Sequence, residues 1–377
     1  MTASEHETLS MMVLARIGYY NLSAVRRLYD RAGSASVLLD HAANIRDIDP
    51  EASPKLASLF NDWQCHVERA EEEYKWDKAH GVTPLCLSDD RYPQRLRECQ
   101  DAPLVLFYQG NTDLNQAKVI SIVGTRHCTL YGQDIIRHFI RDLRTYLPRV
   151  LIVSGLAYGV DICAHRGALD NGFETAAVLA HGLDELYPPR HKATAEQMKG
   201  QGALLTEFFT CTNADKRNFV RRNRIVAGIS DATILVESAA HGGGLITCGM
   251  ANDYNRDVFA FPGPVNAEYS EGCNNLIRDN GAQLISNAAD FVKLKGWENE
   301  AKLREAQTKG IERELFPELS SEEKQVTATL RTHGDLDVSS LARLSGVSFA
   351  TLSPMLFSLE MKGVVKPLPG GRVHLLD

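Results

Sequence analysis

Leu151-Ile-Val-Ser-Gly-Leu-Ala-Tyr-Gly-Val-Asp-Ile-Cys-Ala-His165 is the stretch whose reading decides the fold. A short apolar run breaks into small residues and then into a helical pattern, so the order predicts strand, tight loop, helix. Val150 to Val153 has the length and β-branched character of a buried strand. Gly155 and Gly159 relieve backbone crowding, and Asp161 can cap a helix that continues to Asp170. Such a loop offers backbone amides to an anion at the positive end of a helix, where phosphates are commonly held. An ordinary strand-to-helix connection has the same local pattern, so the neighbouring segments must discriminate.

Those segments repeat the theme. From Gly81 to about Leu294, short apolar runs alternate with helix-length amphipathic stretches: Val119 to Val123, Val150 to Val153, Thr175 to Ala180, Ala203 to Thr206, Ala232 to Glu237 and Val258 to Phe261. Between the first two, Ile135, Ile136, Phe139, Ile140 and Leu143 recur at helical spacing. This alternation predicts an α/β fold, an extended Rossmann-like, mostly parallel sheet with helices on both faces. Ligands of such sheets sit beyond the carboxyl ends of the strands. The loops there include Gly124-Thr-Arg-His127, Ser154 to Gly159, His181-Gly-Leu183, Glu207 to Asn213, Glu237 to Gly244 and Phe261-Pro-Gly-Pro264. Neither Gly-x-Gly-x-x-Gly nor Gly-x-x-x-x-Gly-Lys-Ser/Thr occurs, so no dinucleotide or P-loop triphosphate cofactor is expected.

Outside this region the pattern differs. Residues 1 to 80 carry helical periodicity alone, with one stripe at Leu22, Val25, Leu28 and Tyr29 and another at Leu56, Leu59, Phe60 and Trp63. They are read as a small helical, SAM-like domain. Leu14-Ala-Arg-Ile-Gly-Tyr19 resembles the glycine turn of helix-hairpin-helix modules, although a docking role fits one lone glycine better. Residues 81–294 form the sheet domain and 295–317 a charged linker. Residues 318–377 read as helix, helix-turn-helix and a two-stranded hairpin from Val364 to Leu376, the winged-helix plan. That last region balances six basic against six acidic side chains from residue 319 on. Its zero net charge favours a protein-binding or intramolecular role over duplex recognition.

The 377 residues are 44% apolar, which suits two or three soluble domains. No run of 18 apolar residues occurs and Met1 to Ser10 is polar, so neither membrane span nor secretory signal is expected, and a cytoplasmic location is. Eight scattered cysteines without a Cys-x-x-Cys pair suggest reduced thiols and no zinc site. Net charge is −7, so a nucleic-acid site must be a local basic patch.

The densest such patch is Asp215-Lys-Arg-Asn-Phe-Val-Arg-Arg-Asn-Arg224. On a helix Arg217, Arg221 and Arg224 share one face, while Asn218, Arg222 and Ile225 share another, so some of these cations must be structural. Lys216 and Arg222 near phosphates, with Phe219 as a stacking platform, would give the basic, aromatic groove of sequence-tolerant single-strand binding. Arg126, after Val123-Gly-Thr, can converge on the same edge. Glu237 and His241 lack a partner that would make them catalytic. His165 is read as a packing histidine.

Taken together, these motifs resemble the DprA/Smf family of bacterial DNA-processing proteins. The resemblance rests on Val123-Gly-Thr-Arg126 with Tyr131-Gly132, on Ser154-Gly-Leu-Ala-Tyr-Gly-Val-Asp161 with Ala164-His165, and on Val178-Leu-Ala-His-Gly-Leu183 with Tyr187-Pro188. Phe219-Val-Arg-Arg-Asn-Arg-Ile225 with Ser230, Glu237 to Thr247, Pro262-Gly263 and Gly272-Cys-Asn-Asn-Leu-Ile277 extend it. It implies a homodimeric single-stranded DNA-binding protein without catalytic activity that protects incoming DNA and loads the RecA recombinase during natural transformation. Arg126, Lys216 and Phe219 would line the DNA pocket with backbone from Ser154-Gly155 and Gly242 to Gly244. The full candidate set is Gly124, Arg126, Ser154, Gly155, Gly159, Lys216, Phe219, Arg222, Asn223, Gly243 and Gly244, with no metal ligands. The sequence departs from the family at His241-Gly-Gly-Gly-Leu245, where Ser-Gly-Ser-Leu is usual, so two hydroxyls that could hydrogen-bond from that loop are lost while its backbone contacts remain. The alternative is a nucleotide phosphoribohydrolase-like enzyme on the same sheet architecture, but the Pro-Gly-Gly-x-Gly-Thr-x-x-Glu segment of those enzymes is missing. A duplex-binding regulator acting through the winged helix is a third reading, weakened by that domain's charge balance.

Overall fold

Residues 2–298, 319–362, 364–368 and 371–375 are described in the computed structural model, and the chain divides into two compact units, 1–298 and 299–377. Of the stretch read as a charged linker, 299–317 lies outside the described residues.

The first unit is built on nine strands: β1 (Thr83–Cys86), β2 (Val105–Gly110), β3 (Val119–Val123), β4 (Leu151–Ser154), β5 (Thr175–Val178), β6 (Gly202–Thr206), β7 (Ala232–Leu235), β8 (Asp257–Ala260) and β9 (Gln283–Leu284). Their order is β1-β2-β6-β5-β4-β3-β7-β8-β9. From β6 to β9 all pairings are parallel, whereas β2 runs antiparallel to both β1 and β6. The six apolar runs of the sequence coincide with β3 to β8. The antiparallel edge formed by β1 and β2, and the short β9, were not expected: Pro84 interrupts one run, and two-residue β9 is too short for periodicity to register.

Alternation within the strands explains their continuous apolar character. Ile120, Ile122, Ile152 and Ile234 face one core layer with Ile136, Phe139 and Ile140 of the Leu130–Tyr146 helix. Val119, Val123, Leu151, Val153 and Leu235 face the other, with Ile225 and Val226 of the Lys216–Gly228 helix. A sheet covered on both faces needs hydrophobic residues at every position.

The amino-terminal helices, among them Ala3–Ile17, Leu22–Ala32 and Val67–His80, bury Met11, Leu14, Val25 and Leu28 in the same core as Leu85 and Leu106 of β1 and β2. The first expected stripe is therefore a packed helix face. The second is interrupted: Pro54–Ser58 is a helix, Asn61 and Asp62 fall in a turn, and a single 3-10 turn begins at Trp63, consistent with the preference of Asn and Asp for turns.

In the second unit the helices Ser321–His333, Val338–Ser345 and Phe349–Met361 are followed by strands Val365–Leu368 and Arg372–Leu375, the latter also pairing with Leu336–Asp337. Helix, helix-turn-helix and wing therefore match the expected plan. Lys362, the cation just after the third helix, lies 2.8 Å from the buried Glu323 carboxylate.

Candidate nucleic-acid interface

Strand order fixes where a ligand can enter. β3 leads outward through β4 and β5 to β6 on one side, while β7 and β8 lie on its other side. Loops that leave β3 and β7 in opposite directions open a crevice at their carboxyl ends. The Thr125 N–H donates to Glu237 O at 2.8 Å, which holds the two loops side by side. A cleft of about 570 Å³ opens there, lined by Gly124, Arg126, Gly155, Lys216, Phe219, Arg222, Asn223, Gly243 and Gly244 among others. Nine of the eleven candidate residues are thus brought together from four separate segments. Ser154 and Gly159 are not part of the lining.

The opening stretch forms the cleft's inner wall, but its amides are turned inward. Gly155 N–H and Ala157 N–H donate to Asp161 Oδ2 at 3.1 and 3.3 Å, Leu156 N–H donates to His165 Nε2 at 3.3 Å, and Val160 N–H donates to Thr125 O at 3.1 Å. Ser154 is fully buried and its hydroxyl donates to Ile122 O at 2.6 Å. The expectation that this loop presents its amides to an anion is therefore corrected, because Asp161 and His165 fold back from the following helix and take those donors. Gly159, not Asp161, occupies the cap position. At φ 77° Gly159 has a conformation that favours glycine, and a Cβ there would overlap Thr125 O and the Arg126 backbone. It thereby lets the loop pack directly beneath Arg126.

His165 is a packing group, as read. Thr175 Oγ1 donates to Ile152 O, so it accepts from His165 Nδ1 at 2.7 Å, leaving Nε2 unprotonated for the Leu156 amide. Complete burial pushes the imidazole down to about 3. Burial likewise raises the Asp161 carboxyl, opposed by Arg222 and the loop amides.

The Lys216–Gly228 helix forms the outer wall, capped by Asp215, whose carboxylate accepts from Asn218 N at 2.8 Å. Its cations separate by role. Arg221 and Arg224 both donate to Glu207 Oε2, at 3.0 and 2.6 Å, and the Arg221 guanidinium lies 4.0 Å from the Tyr19 ring centroid. Arg221 also donates to Tyr19 O, so the Gly18 turn of the amino-terminal helices docks on this helix. Arg222 is 4% exposed, and its guanidinium donates to the carbonyls of Gly155 and Val178. The sequence placed Arg222 near phosphates; the structure puts it under the cleft floor, where burial lowers it to about 10, its Nη1 is taken by the two carbonyls and its Nε donates to Asn223 Oδ1. A Cβ at Gly155 would overlap that guanidinium, which is the packing reason for a glycine there. Lys216 and Arg217 remain exposed at the helix start, and neither forms an ion pair among the described residues.

Arg126, exposed and likewise without a carboxylate partner among the described residues, lies over Phe219 with 4.5 Å to the ring centroid. Tyr187 meets the same ring at 6.0 Å and 64°. Phe219 is half-buried and braces Arg126 across the cleft mouth. Opposite, Gly242 precedes the Gly243–Asp253 helix, and no side chain caps it. This uncapped terminus supplies the outward-facing helix start that the 154–159 loop lacks. Glu237 is 3% exposed and accepts from Thr129 N (2.8 Å) and Thr129 Oγ1 (2.6 Å), holding the start of the Leu130–Tyr146 helix. His241 is exposed at the rim.

Thr125, Ile246 and Tyr187 also reach the cleft or its aromatic face, and sequence reasoning did not single them out for it. Tyr187 was visible within a motif, but only tertiary packing pairs it with Phe219.

Residues 83–295 match the family model described as DNA recombination-mediator protein A, and residues 314–371 match the DprA winged helix domain. Over 204 residues the chain is 40% identical to the DNA processing protein DprA of Streptococcus pneumoniae, covering 54% of this chain and 71% of that one. The crystal structure of DNA processing protein A from that organism superposes with a TM-score of 0.59 at 34% identity, covering 67% of this chain and 86% of that chain. A structure of DNA processing protein A from Helicobacter pylori, reported for its single-stranded DNA binding mode, superposes with a TM-score of 0.51 at 28% identity, covering 56% and 94%.

Proposed function

The chain belongs to the DNA recombination-mediator protein A family, and from that premise we propose that it binds single-stranded DNA in the cleft between β3 and β7. The observation that carries this reading is the pairing of Arg126 and Lys216, two exposed cations around the half-buried ring of Phe219, above a cleft with glycine backbone on its far side. The cations meet phosphates, and Phe219 with Arg126 offers a planar surface to a base. Gly124, Asn223, Gly243 and Gly244 complete the lining, while Ser154, Gly155, Gly159 and Arg222 act by shaping the floor. The homologue from Helicobacter pylori, whose structure was reported for its single-stranded DNA binding, supports the assignment.

The larger role is a homodimeric, cytoplasmic DNA-binding protein that protects incoming single strands and delivers them to the RecA recombinase during transformation or recombination. It performs no catalysis. The engagement of Glu237 by Thr129 favours this reading, since that carboxylate already serves a helix terminus. Fluorescence anisotropy with labelled oligonucleotides across a salt series tests the site: single strands bind much more tightly than duplex, with affinity falling as salt rises because counterions are released. Equal affinity for the two forms overturns it. Phe219→Ala lowers affinity by about 1–3 kcal/mol if the ring stacks on a base, without an equal loss of melting temperature. Release of free base from nucleoside monophosphates would overturn the non-enzymatic reading.

A further inference from the structure

The loop from Glu207 to Asn213 leaves the carboxyl edge of β6, yet none of its residues lines the DNA cleft. It faces the amino-terminal helices instead, and a second cavity of about 230 Å³ lies between them. The Lys216–Gly228 helix separates the two spaces: Phe219, Arg222 and Asn223 line the cleft, whereas Arg221 lines the second cavity. Ala15, Leu22, Leu104 and Val105 give that cavity apolar walls, and Tyr19 and Phe209 give it aromatic ones.

Four side chains of this lining each keep a buried atom without a hydrogen-bond partner among the described residues: Arg16 Nε, His66 Nδ1, Glu207 Oε1 and Arg221 Nε. Eight such atoms occur among the described residues, so half of them gather at one cavity. Leaving a buried polar atom unpaired is costly, and a cluster of them calls for a ligand that supplies the partners. The Glu207 side chain is 4% exposed; Oε2 accepts from both Arg221 and Arg224, while Oε1 accepts from no described residue. Arg69 is taken by Glu73 and Thr210. Arg16 is the guanidinium left over, with no carboxylate or carbonyl acceptor among the described residues, and it lies 5.3 Å from the Phe209 ring centroid. Burial and the neighbouring Arg69 both disfavour its charge. Burial and Arg16 hold His66 below the ordinary imidazole range, so its ring is neutral at neutral pH and can donate or accept at Nδ1.

A ligand that answers these groups carries an anion for Arg16, a donor for Glu207 Oε1 and an apolar, compact body. The donor must be neutral, because two guanidinium groups already sit on the Glu207 carboxylate and would repel an ammonium group. We propose that this cavity is a second ligand site, for a nucleoside monophosphate whose phosphate meets Arg16 and whose base donates an exocyclic amine hydrogen to Glu207 Oε1. The cavity is smaller than the usual small-molecule pocket, which favours a pyrimidine over a purine. That chemistry has two sources, a free nucleotide and the 5′-phosphorylated end of a strand.

The test titrates the full-length protein calorimetrically with deoxycytidine monophosphate, whose cytosine amine is the required donor, and with deoxycytidine and inorganic phosphate as its two halves. The nucleotide is expected to bind, and each half to bind about tenfold more weakly or worse. Arg16→Gln should weaken the nucleotide by about tenfold, since a charge-assisted contact is lost, and leave affinity for a 5′-hydroxyl single strand unchanged. His66→Leu, at a partly exposed position, should also weaken the nucleotide and decides the matter if Arg16→Gln lowers the melting temperature. Three results overturn the proposal: no nucleotide binding, phosphate binding as tightly as the nucleotide, or a nucleotide affinity that falls in Arg126→Ala and not in Arg16→Gln, which would place the nucleotide in the DNA cleft. Oligonucleotides with and without a 5′-phosphate separate the sources: an Arg16-dependent preference for the phosphate supports the strand end, and equal affinity supports the free nucleotide. Only that arm rests on the single-strand reading; if strands fail to bind, that reading falls while the nucleotide titration still decides the cavity.

Discussion

Two glycine-bearing loops flank the same cleft, each ending in a helix at the carboxyl edge of the sheet, and they differ in what happens to their amides. In the Ser154–Gly159 loop three successive N–H groups, from Gly155 to Ala157, are taken by Asp161 and His165. At Gly242–Gly244 no side chain caps the helix. The first loop carries the stronger resemblance to a phosphate-binding turn, yet the second is the one left open. A glycine-rich strand-to-helix turn becomes an anion site only where no acceptor from its own helix returns to fill it. Asp161 and His165 make the first loop a rigid floor, and the departure to His241-Gly-Gly-Gly leaves the second with backbone alone.

The contrast can be broken most forcefully at Asp161. Removing its carboxylate leaves the amides of Gly155 and Ala157 buried without an acceptor, so Asp161→Ala should cost about 2–6 kcal/mol in urea denaturation, at about 1–3 kcal/mol for each orphaned donor. A loss within experimental error would mean that the loop is not held from its own helix. His165 gives a pH-dependent version. Its folded value of about 3 lies below the ordinary 6.5, so the unfolded chain binds more protons between these limits and stability falls as pH drops through that window. His165→Gln should flatten this fall, by at most about 1.4 kcal/mol per pH unit for one proton. Superposable pH–stability curves for the two proteins would argue against a neutral, hydrogen-bonded imidazole.

Smaller effects are expected at the open side. Arg126→Ala and Lys216→Ala should each weaken single-strand binding on the order of tenfold, about 1.4 kcal/mol, and lower the salt slope by about one. Unchanged affinity in both folded variants would remove the site assignment. The finest probe is Gly243→Pro. Proline is well tolerated at a first helical position, and Gly242 before it, at φ −76° and ψ 154°, already has the extended backbone that proline demands. The substitution deletes one amide with little effect on the fold, so affinity should fall by about 1 kcal/mol. Gly243→Ala, whose Cβ would meet nothing within 4 Å, is the matched control and should bind normally. Equal affinities of the proline and alanine variants would show that this amide does not touch DNA.

Much of the architecture could be read from periodicity. The six apolar runs became β3 to β8 because a strand buried on both faces must be hydrophobic throughout, and that signal is local. β2 was missed because its first residues are apolar while Tyr108, Gln109 and Gly110 are not, a mixture that looks like loop until β1 and β6 close on it. The helix from Lys216 was legible as basic, and its helical spacing required some cations to be structural. Which ones was not legible: Glu207 claims Arg221 and Arg224 from a loop outside the helix, and Gly155 and Val178 claim Arg222.

The sequence by itself determined the strand–helix alternation, the winged-helix tail, the family and the convergence of Arg126, Lys216 and Phe219 on one edge, since each follows from local pattern or from motifs in order. Tertiary structure alone decided which donors in that edge remain available. Side-chain acceptors and carbonyls compete for the same amides and guanidinium groups, and the winner depends on distances across the chain that no spacing in sequence encodes. By that competition the stretch from Leu151 to His165 forms the floor under the cleft, while its openings lie at Arg126, Lys216 and the Gly242–Gly244 turn.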